Sequence, residues 1–199
     1  MTRSHFIAVT GLLLGTAMGA SAASDAKTAS APLTTSAARE TDAIPLPPER
    51  VETFSPNREF TLVIESPDGW QSSVAIAKFF RASSSGESLL WQSNLPQKYG
   101  PRFAIVGNGG QVLLLDEWIN VASRNAIWLR TLDTTVVYDF NAVVDLLHLP
   151  SRDIVERAAF GWWISGVPSL AETGAAAIVP AAGHRIRIDL DNGQLSLLN

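Results

Sequence analysis

The sequence contains no cysteine, only three histidines and no cluster of basic residues. Without thiols the chain cannot form disulfides, cysteine-ligated zinc sites or iron–sulfur clusters, and it has no thiolate nucleophile. A domain without disulfides must be stabilised by its hydrophobic core, so it needs ample size. The 15 Lys and Arg residues are outnumbered by 19 Asp and Glu. This mildly acidic composition offers no electrostatic basis for binding nucleic acid or anionic lipid.

Common catalytic and metal-binding motifs are also missing. Neither G-x-S-x-G nor H-E-x-x-H occurs. His148 is expected to cap or pack at a helix end, and His184 to open a strand. Asp116 and Glu117 are adjacent on a predicted strand, so they are expected to face opposite sides rather than to form a glycosidase pair. The sequence therefore predicts no metal and no cofactor, and it favours a protein that is not an enzyme.

Residues 1–22 have the pattern of a cleavable secretory signal peptide. Arg3 precedes an apolar run over residues 6–14, and small residues follow up to Ala22. The expected cleavage site lies between Ala22 and Ala23. The apolar run is shorter than the roughly 20 residues that span a bilayer, and no cysteine is present for a lipid anchor. We therefore expect a periplasmic or secreted protein with no membrane span after cleavage.

Residues 23–48 are expected to be a tether. Residues 23–43 are rich in Ala, Ser and Thr without apolar periodicity, which predicts disorder. Ile44-Pro45-Leu46-Pro47-Pro48 then has the composition of an extended, polyproline-like segment. Residues 49–199 are expected to form a single β-rich domain.

Alternation of apolar and polar residues predicts short antiparallel strands separated by turns. The clearest hairpin signals are Asn108-Gly109-Gly110 and Asp191-Asn192-Gly193, because tight hairpin turns need residues that tolerate positive φ. The predicted strands are residues 59–65, 74–80, 89–91, 102–106, 112–116, 126–130, 135–138, 160–164, 175–179, 184–190 and 194–198. The predicted fold class is mainly β.

One stretch, residues 141–159, has a helical pattern instead. Asn141 is predicted to be the N-cap for residues 142–147, and Ser151 for residues 152–159. Because Pro150 lies between them, we expect two short helices or one broken helix.

Residues 108–118, with the sequence NGGQVLLLDEW, form a turn–strand–turn unit with a G…V…D-x-W pattern. Together with the S-P-D-G turn at residues 66–69, this pattern of turns and strands resembles the blades of WD40-like β-propellers. It is also similar to secreted bacterial proteins of unassigned function that carry the same pattern. The resemblance covers residues 55–199 and implies blade-like sheets. A blade takes about 40–45 residues, so these residues hold at most about three and a half blades, too few for an ordinary closed ring. The alternatives are a sandwich, a partial propeller whose sheet edges are covered by the helices, and two chains that complete each other.

Aromatic residues are the remaining candidates for a binding site. The chain has six Trp and two Tyr, and most Trp in a β domain lie in the core. Trp118 differs because it follows a strand end, where binding loops begin. Trp162 and Trp163 are consecutive, so on a strand one of them would face outward. Tyr99 begins a turn, Tyr99-Gly100-Pro101-Arg102, that is expected to be rigid and exposed. The predicted ligand-binding residues are Tyr99, Asp116, Trp118, Trp162 and Trp163.

These observations favour an exported, non-catalytic domain that binds an envelope protein or ligand. One alternative is an envelope hydrolase whose site is assembled from distant strands. Another is a structural assembly partner that pairs through sheet edges. Such pairing between copies of this chain would give a homo-oligomer. A concave pocket with two or more titratable groups would favour the enzyme, and an apolar patch or open sheet edge would favour binding.

Overall fold

The computed structural model describes residues 45–198, which form twelve strands and two short helices. The predicted signal peptide, residues 23–44 of the predicted tether and residue 199 lie outside the described residues. The strands are β1 Arg50–Phe54, β2 Phe60–Glu65, β3 Ile76–Ser83, β4 Gly86–Asn94, β5 Pro101–Val106, β6 Val112–Glu117, β7 Ile127–Arg130, β8 Thr135–Tyr138, β9 Ser169–Leu170, β10 Ala176–Ala181, β11 His184–Asp189 and β12 Leu195–Leu198. The helices are α1 Phe140–Leu147 and α2 Ser151–Glu156.

The strands form three antiparallel sheets, each a four-stranded meander of consecutive strands. Their orders are β1-β2-β3-β4, β5-β6-β7-β8 and β9-β10-β11-β12. The two hairpins predicted from glycine-containing turns are present, joining β5 to β6 and β11 to β12. The prediction of a mainly β fold with antiparallel sheets and a short helical insert is confirmed.

Strand β6 connects two hydrophobic cores, because its alternating side chains enter both. Leu113 and Leu115 pack in the core shared with the third sheet and the helices. Val112 and Leu114 pack in the core shared with the first sheet. All six residues of β6 are buried, and burial of each leucine stabilises the fold by about 1.5–3 kcal/mol relative to exposure. The middle sheet is therefore covered on both faces.

The first strands of the three sheets meet around an open groove. Thr53 of β1, Ile105 of β5 and Leu170 of β9 all line it. The Asn57 backbone N–H donates to Asn108 Oδ1 at 2.9 Å, which joins the turn after β1 to the turn after β5. Each sheet thus presents its first strand to the same side of the molecule.

The helical insert forms two helices, as expected, but both predicted caps are wrong. The N-cap of α1 is Asp139, whose carboxylate accepts a hydrogen bond from the Ala142 N–H at 3.0 Å. Pro150 occupies the N-cap position of α2, which has no side-chain cap. Helix α1 packs against β8 and β12. Phe140, the first helical residue, packs in the core with Val143 and Leu147, and the helix therefore starts before Asn141 with Asp139 as its cap.

Strand β4 is longer than the sequence pattern indicates. Residues 89–91 were predicted, and the strand covers Gly86–Asn94. Its side chains are mostly exposed, so it lacks the apolar alternation from which a strand is recognised. Pairing with β3 orders it, with a bulge opposite Phe79 and Phe80.

The predicted strand at residues 160–164 is also wrong. These residues form a tight turn closed by an isolated bridge between Phe160 and Ile164. Gly161 has a φ of 64°, in the left-handed region that glycine occupies without strain. This turn, rather than strand alternation, sets the directions of Trp162 and Trp163.

In the part of the chain that the structure describes, neither helix has the length and apolar character needed to cross a membrane.

Candidate functional site

The main candidate site is a cavity of about 240 Å³ between the first and second sheets, which we call the Trp118 pocket. Residues from β1, from β5 and from the loops before and after the β5–β6 hairpin surround it. The lining residues are Pro47, Pro48, Val51, Thr53, Ile64, Trp70, Tyr99, Gly100, Pro101, Arg102, Phe103, Ala104 and Trp118. The lining is thus mainly aromatic and proline-rich, with one cation.

The register of the β5–β6 hairpin brings Tyr99 and Trp118 to the same pocket. Pro101 pairs with Glu117 at the open end of the hairpin, and the Trp118 N–H donates to Gly100 O at 2.9 Å. Tyr99 and Gly100 both have positive φ, which turns the chain sharply into β5. Two residues singled out separately in the sequence therefore lie on one surface.

Arg102 is the charged group of the pocket. Its guanidinium carbon lies 4.5 Å from the centre of the Trp118 ring. Nη2 donates to the Trp118 carbonyl and, at 2.9 Å, to Asn120 Oδ1. Burial lowers the pKa of Arg102, and the charge of Asp116 opposes that shift. The cation is held against the Trp118 ring by these contacts, a geometry that arginine provides and lysine does not.

Trp70 completes the aromatic wall. It is buried, with its ring centre 5.8 Å from that of Tyr99. The indole Nε1 of Trp70 and the Nε of Arg102 are buried donors without a hydrogen-bond partner among the described residues. Buried donors are normally paired, so these two lining residues have spare capacity for an acceptor.

The proline-rich segment lies across the pocket. The Trp118 Nε1–H donates to the Pro45 carbonyl at 2.6 Å. Pro47 is buried, and both Pro47 and Pro48 line the cavity. We call residues 45–48 the strap. It covers the pocket without joining any strand.

Asp116 does not line the Trp118 pocket. It is fully buried, and its carboxylate accepts hydrogen bonds from the Trp162 N–H at 2.6 Å and from the Glu117 N–H at 3.0 Å. Burial raises its pKa to about 6, although both hydrogen bonds and Arg102 act in the opposite direction. Asp116 thus joins the end of β6 to the turn at Gly161.

Trp162 and Trp163 lie away from the Trp118 pocket. Trp163 is fully buried in the core shared with the third sheet. Trp162 is partly exposed and lines a separate open cavity with Phe140 and Arg152. The two rings differ in exposure as expected, but neither joins Trp118. The structure therefore brings together Tyr99 and Trp118 and leaves the other three predicted residues elsewhere.

Trp70, Arg102 and the strap prolines are site residues that the sequence pattern did not predict. Trp70 and Arg102 each follow a turn signal, S-P-D-G and Y-G-P respectively. A turn signal places a residue near the surface, but it does not identify the side chains opposite. Only the packing of the first sheet on the second puts these residues around one cavity.

The groups that line the Trp118 pocket can stack on, donate hydrogen bonds to and electrostatically attract a bound group. Its lining has aromatic surface, indole N–H donors and a cation, and it includes neither a carboxylate nor a histidine. Across residues 45–198, no group of three or more His, Asp or Glu side chains is arranged to hold a metal ion. Comparison with known proteins gives no match, either to a protein-family model or to a curated protein.

Proposed function

We propose that this chain is an exported, non-catalytic β-rich domain that binds a segment of another envelope protein at the Trp118 pocket. The observation that carries the proposal is the composition of the pocket, which is lined by four aromatic residues and by one arginine stacked on Trp118. Aromatic residues and arginine are the types most enriched at the centres of protein interfaces. The pocket has no acid–base pair, so its residues fit recognition better than hydrolysis.

The size of the pocket supports a peptide segment rather than a small molecule as its occupant. Pockets for drug-sized ligands span about 300–1,000 Å³. With Pro47 and Pro48 of the strap forming part of its wall, this cavity measures about 240 Å³. It accommodates one or two side chains of an extended chain. The remaining contacts would come from the rim, where Trp118 is partly exposed.

Export is inferred from the sequence and belongs to the same proposal. The signal pattern of residues 1–22 would deliver the chain to the periplasm or the exterior. Residues 23–44 would form a tether that precedes the domain. The resemblance to propeller blades is supported by three consecutive four-stranded meanders whose first strands face one groove. We propose a partial-propeller arrangement on this basis.

The proposal is tested by capture of partners from envelope extracts with the Trp118→Ala variant. We expect the wild-type protein to enrich a partner and Trp118→Ala to enrich it at least about tenfold less. Tryptophans at the centre of an interface contribute about 2 kcal/mol or more to the free energy of binding. Quantitative mass spectrometry of the captured proteins gives the measurement.

Trp162→Ala is the matched control, because Trp162 is also partly exposed but lines a different cavity. This variant should retain the partner. Equal enrichment by wild type and Trp118→Ala, or equal loss in both variants, would contradict the assignment of the site.

A second function, assembly through a sheet edge, is favoured by strand β4. It is the last strand of its sheet, and Leu89 and Leu90 on it are 52% and 39% exposed. Natural edge strands are protected by charges, prolines or covering elements. Helix α1 packs against the other last strands, β8 and β12, whereas neither helix of residues 45–198 packs against β4 to a comparable extent. The edge therefore has room for another strand.

If β4 mediates self-association, Leu89→Lys should weaken the dimer by at least about tenfold, because a lysine on an edge opposes strand pairing. Light scattering after size-exclusion chromatography over a concentration series measures this. Leu132→Lys is the control, since Leu132 is 58% exposed but lies in a turn. A wild-type protein that is monomeric at every concentration would exclude assembly between copies through β4.

A further inference from the structure

The strap is bound to the Trp118 pocket in the manner of a ligand. Its first carbonyl, that of Pro45, accepts a hydrogen bond from the Trp118 indole at 2.6 Å. Its third residue, Pro47, is buried among the pocket residues, and Pro48 also lines the cavity. One polar anchor and two proline rings therefore contact the pocket.

The composition of the strap explains why such a pocket accepts it. Three of its four residues are proline, so φ is restricted and three backbone N–H donors are missing. Chains of this kind favour the polyproline II conformation, which has no internal hydrogen bonds and exposes its carbonyls. Aromatic grooves bind such segments at little entropic cost, because the segment is ordered before it binds. The aromatic surface here is supplied by Trp70, Tyr99, Phe103 and Trp118.

The strap is held by few interactions. Within residues 45–198, its one hydrogen bond is that between Pro45 and Trp118, and it pairs with no strand. Pro45 and Leu46 are exposed, Leu46 by 58%. A segment attached in this way can be exchanged for another segment of the same chemistry.

We propose that the Trp118 pocket recognises a proline-rich, polyproline II segment of a partner protein, and that the strap covers the pocket in cis until the partner displaces it. This inference rests on the proposed function and specifies the chemical class of its partner. The required pattern is a carbonyl acceptor for Trp118 followed two and three residues later by prolines, as in Pro45-Leu46-Pro47-Pro48.

The probe is a synthetic peptide with the sequence of residues 43–49, Ala-Ile-Pro-Leu-Pro-Pro-Glu, titrated into the full chain and its variants by calorimetry. Pro47→Gly combined with Pro48→Gly weakens the strap within the full chain. We expect this variant to bind the peptide at least about tenfold more tightly than wild type. If the strap leaves the wild-type pocket free for only about a tenth of the time, the apparent affinity of wild type for the peptide is about tenfold lower than that of an open pocket. Leu46→Gly is a second, milder strap variant.

Two controls identify the recognition chemistry. Adding Trp118→Phe to the strap variant removes the indole donor and should weaken binding about three- to tenfold, the effect of one lost hydrogen bond. Trp162→Phe should leave binding unchanged, because that residue lines another cavity. A peptide with alanine at each proline should bind at least about tenfold more weakly, since it loses its pre-ordered conformation.

The inference is overturned if neither strap variant binds the peptide better than wild type, or if the alanine peptide binds equally well. It is also overturned if Trp118→Phe has no effect. Trp118-dependent capture of an envelope partner without peptide binding would retain the proposed function and reject the proline-rich class. Peptide binding without such capture would retain the recognition chemistry and reject an envelope protein as the partner.

Discussion

Gly161→Ala should destabilise the protein by about 3 kcal/mol or more. Gly161 has a φ of 64°, and a non-glycine residue there costs about 1–2 kcal/mol. A methyl group at this position would also overlap the buried Asp116 Oδ2. Displacing that carboxylate would break its hydrogen bond with the Trp162 N–H, and hydrogen bonds to charged groups contribute about 1.5–3 kcal/mol. Urea unfolding followed by circular dichroism measures the change in the free energy of unfolding.

Gly183→Ala separates the two causes. Gly183 also has a positive φ, 87°, but a methyl group there would meet no atom within 4 Å. This variant should lose only the conformational contribution of about 1–2 kcal/mol. If the two variants lose the same amount, the contact between Gly161 and Asp116 contributes nothing to stability.

The second large effect is a pH dependence that arises from Asp116. Burial raises the pKa of this carboxyl from its usual value of 3.8 to about 6 in the folded protein. Between about pH 4 and 6 the folded protein therefore holds a proton that the unfolded chain releases. Raising the pH through this range favours the unfolded chain. The contribution of Asp116 to the free energy of unfolding should fall by about 3 kcal/mol, at about 1.4 kcal/mol per pKa unit.

Other carboxyl groups oppose this trend, so the measurement must be a difference. Glu65 has a lowered pKa, chiefly because Lys78 donates a hydrogen bond to it and also because Arg50 does. Its contribution is lost as the pH falls, the opposite sign to that of Asp116. Because Glu65 is present in both proteins, its contribution cancels when the free energy of unfolding of Asp116→Asn is subtracted from that of wild type. That difference should decline from pH 4 to pH 7, and a flat difference would show that Asp116 titrates alike in both states.

The hairpins were predictable from the sequence because turn chemistry is local. Asn108-Gly109-Gly110 and Asp191-Asn192-Gly193 contain residues that adopt positive φ, and Gly110 and Gly193 do so. Strand alternation then identifies the neighbouring residues. The elements that were mispredicted depend on distant contacts. Strand β4 is ordered by β3, and the turn at Gly161 is stabilised by Asp116, which lies 45 residues earlier.

The candidate site was only partly predictable for the same reason. Tyr99 and Trp118 could be singled out from their positions at a turn and a strand end. Asp116 and Trp163 are buried and Trp162 lines another cavity, so these three residues lie apart from the Trp118 pocket. Side-chain direction near a turn depends on one or two backbone angles that a residue pattern does not specify.

The sequence by itself determined the class of this protein: a β-rich chain without thiol chemistry, built from successive hairpins. These properties depend on composition, on the two-residue period of strands and on turns of a few residues, all of which act locally. The tertiary structure alone decided which aromatic residues share a pocket and what covers it. Pro45 and Trp118 are 73 residues apart, and they meet only because the first sheet packs on the second. Contacts over such a separation form through the packing of the cores, which no short stretch of sequence encodes.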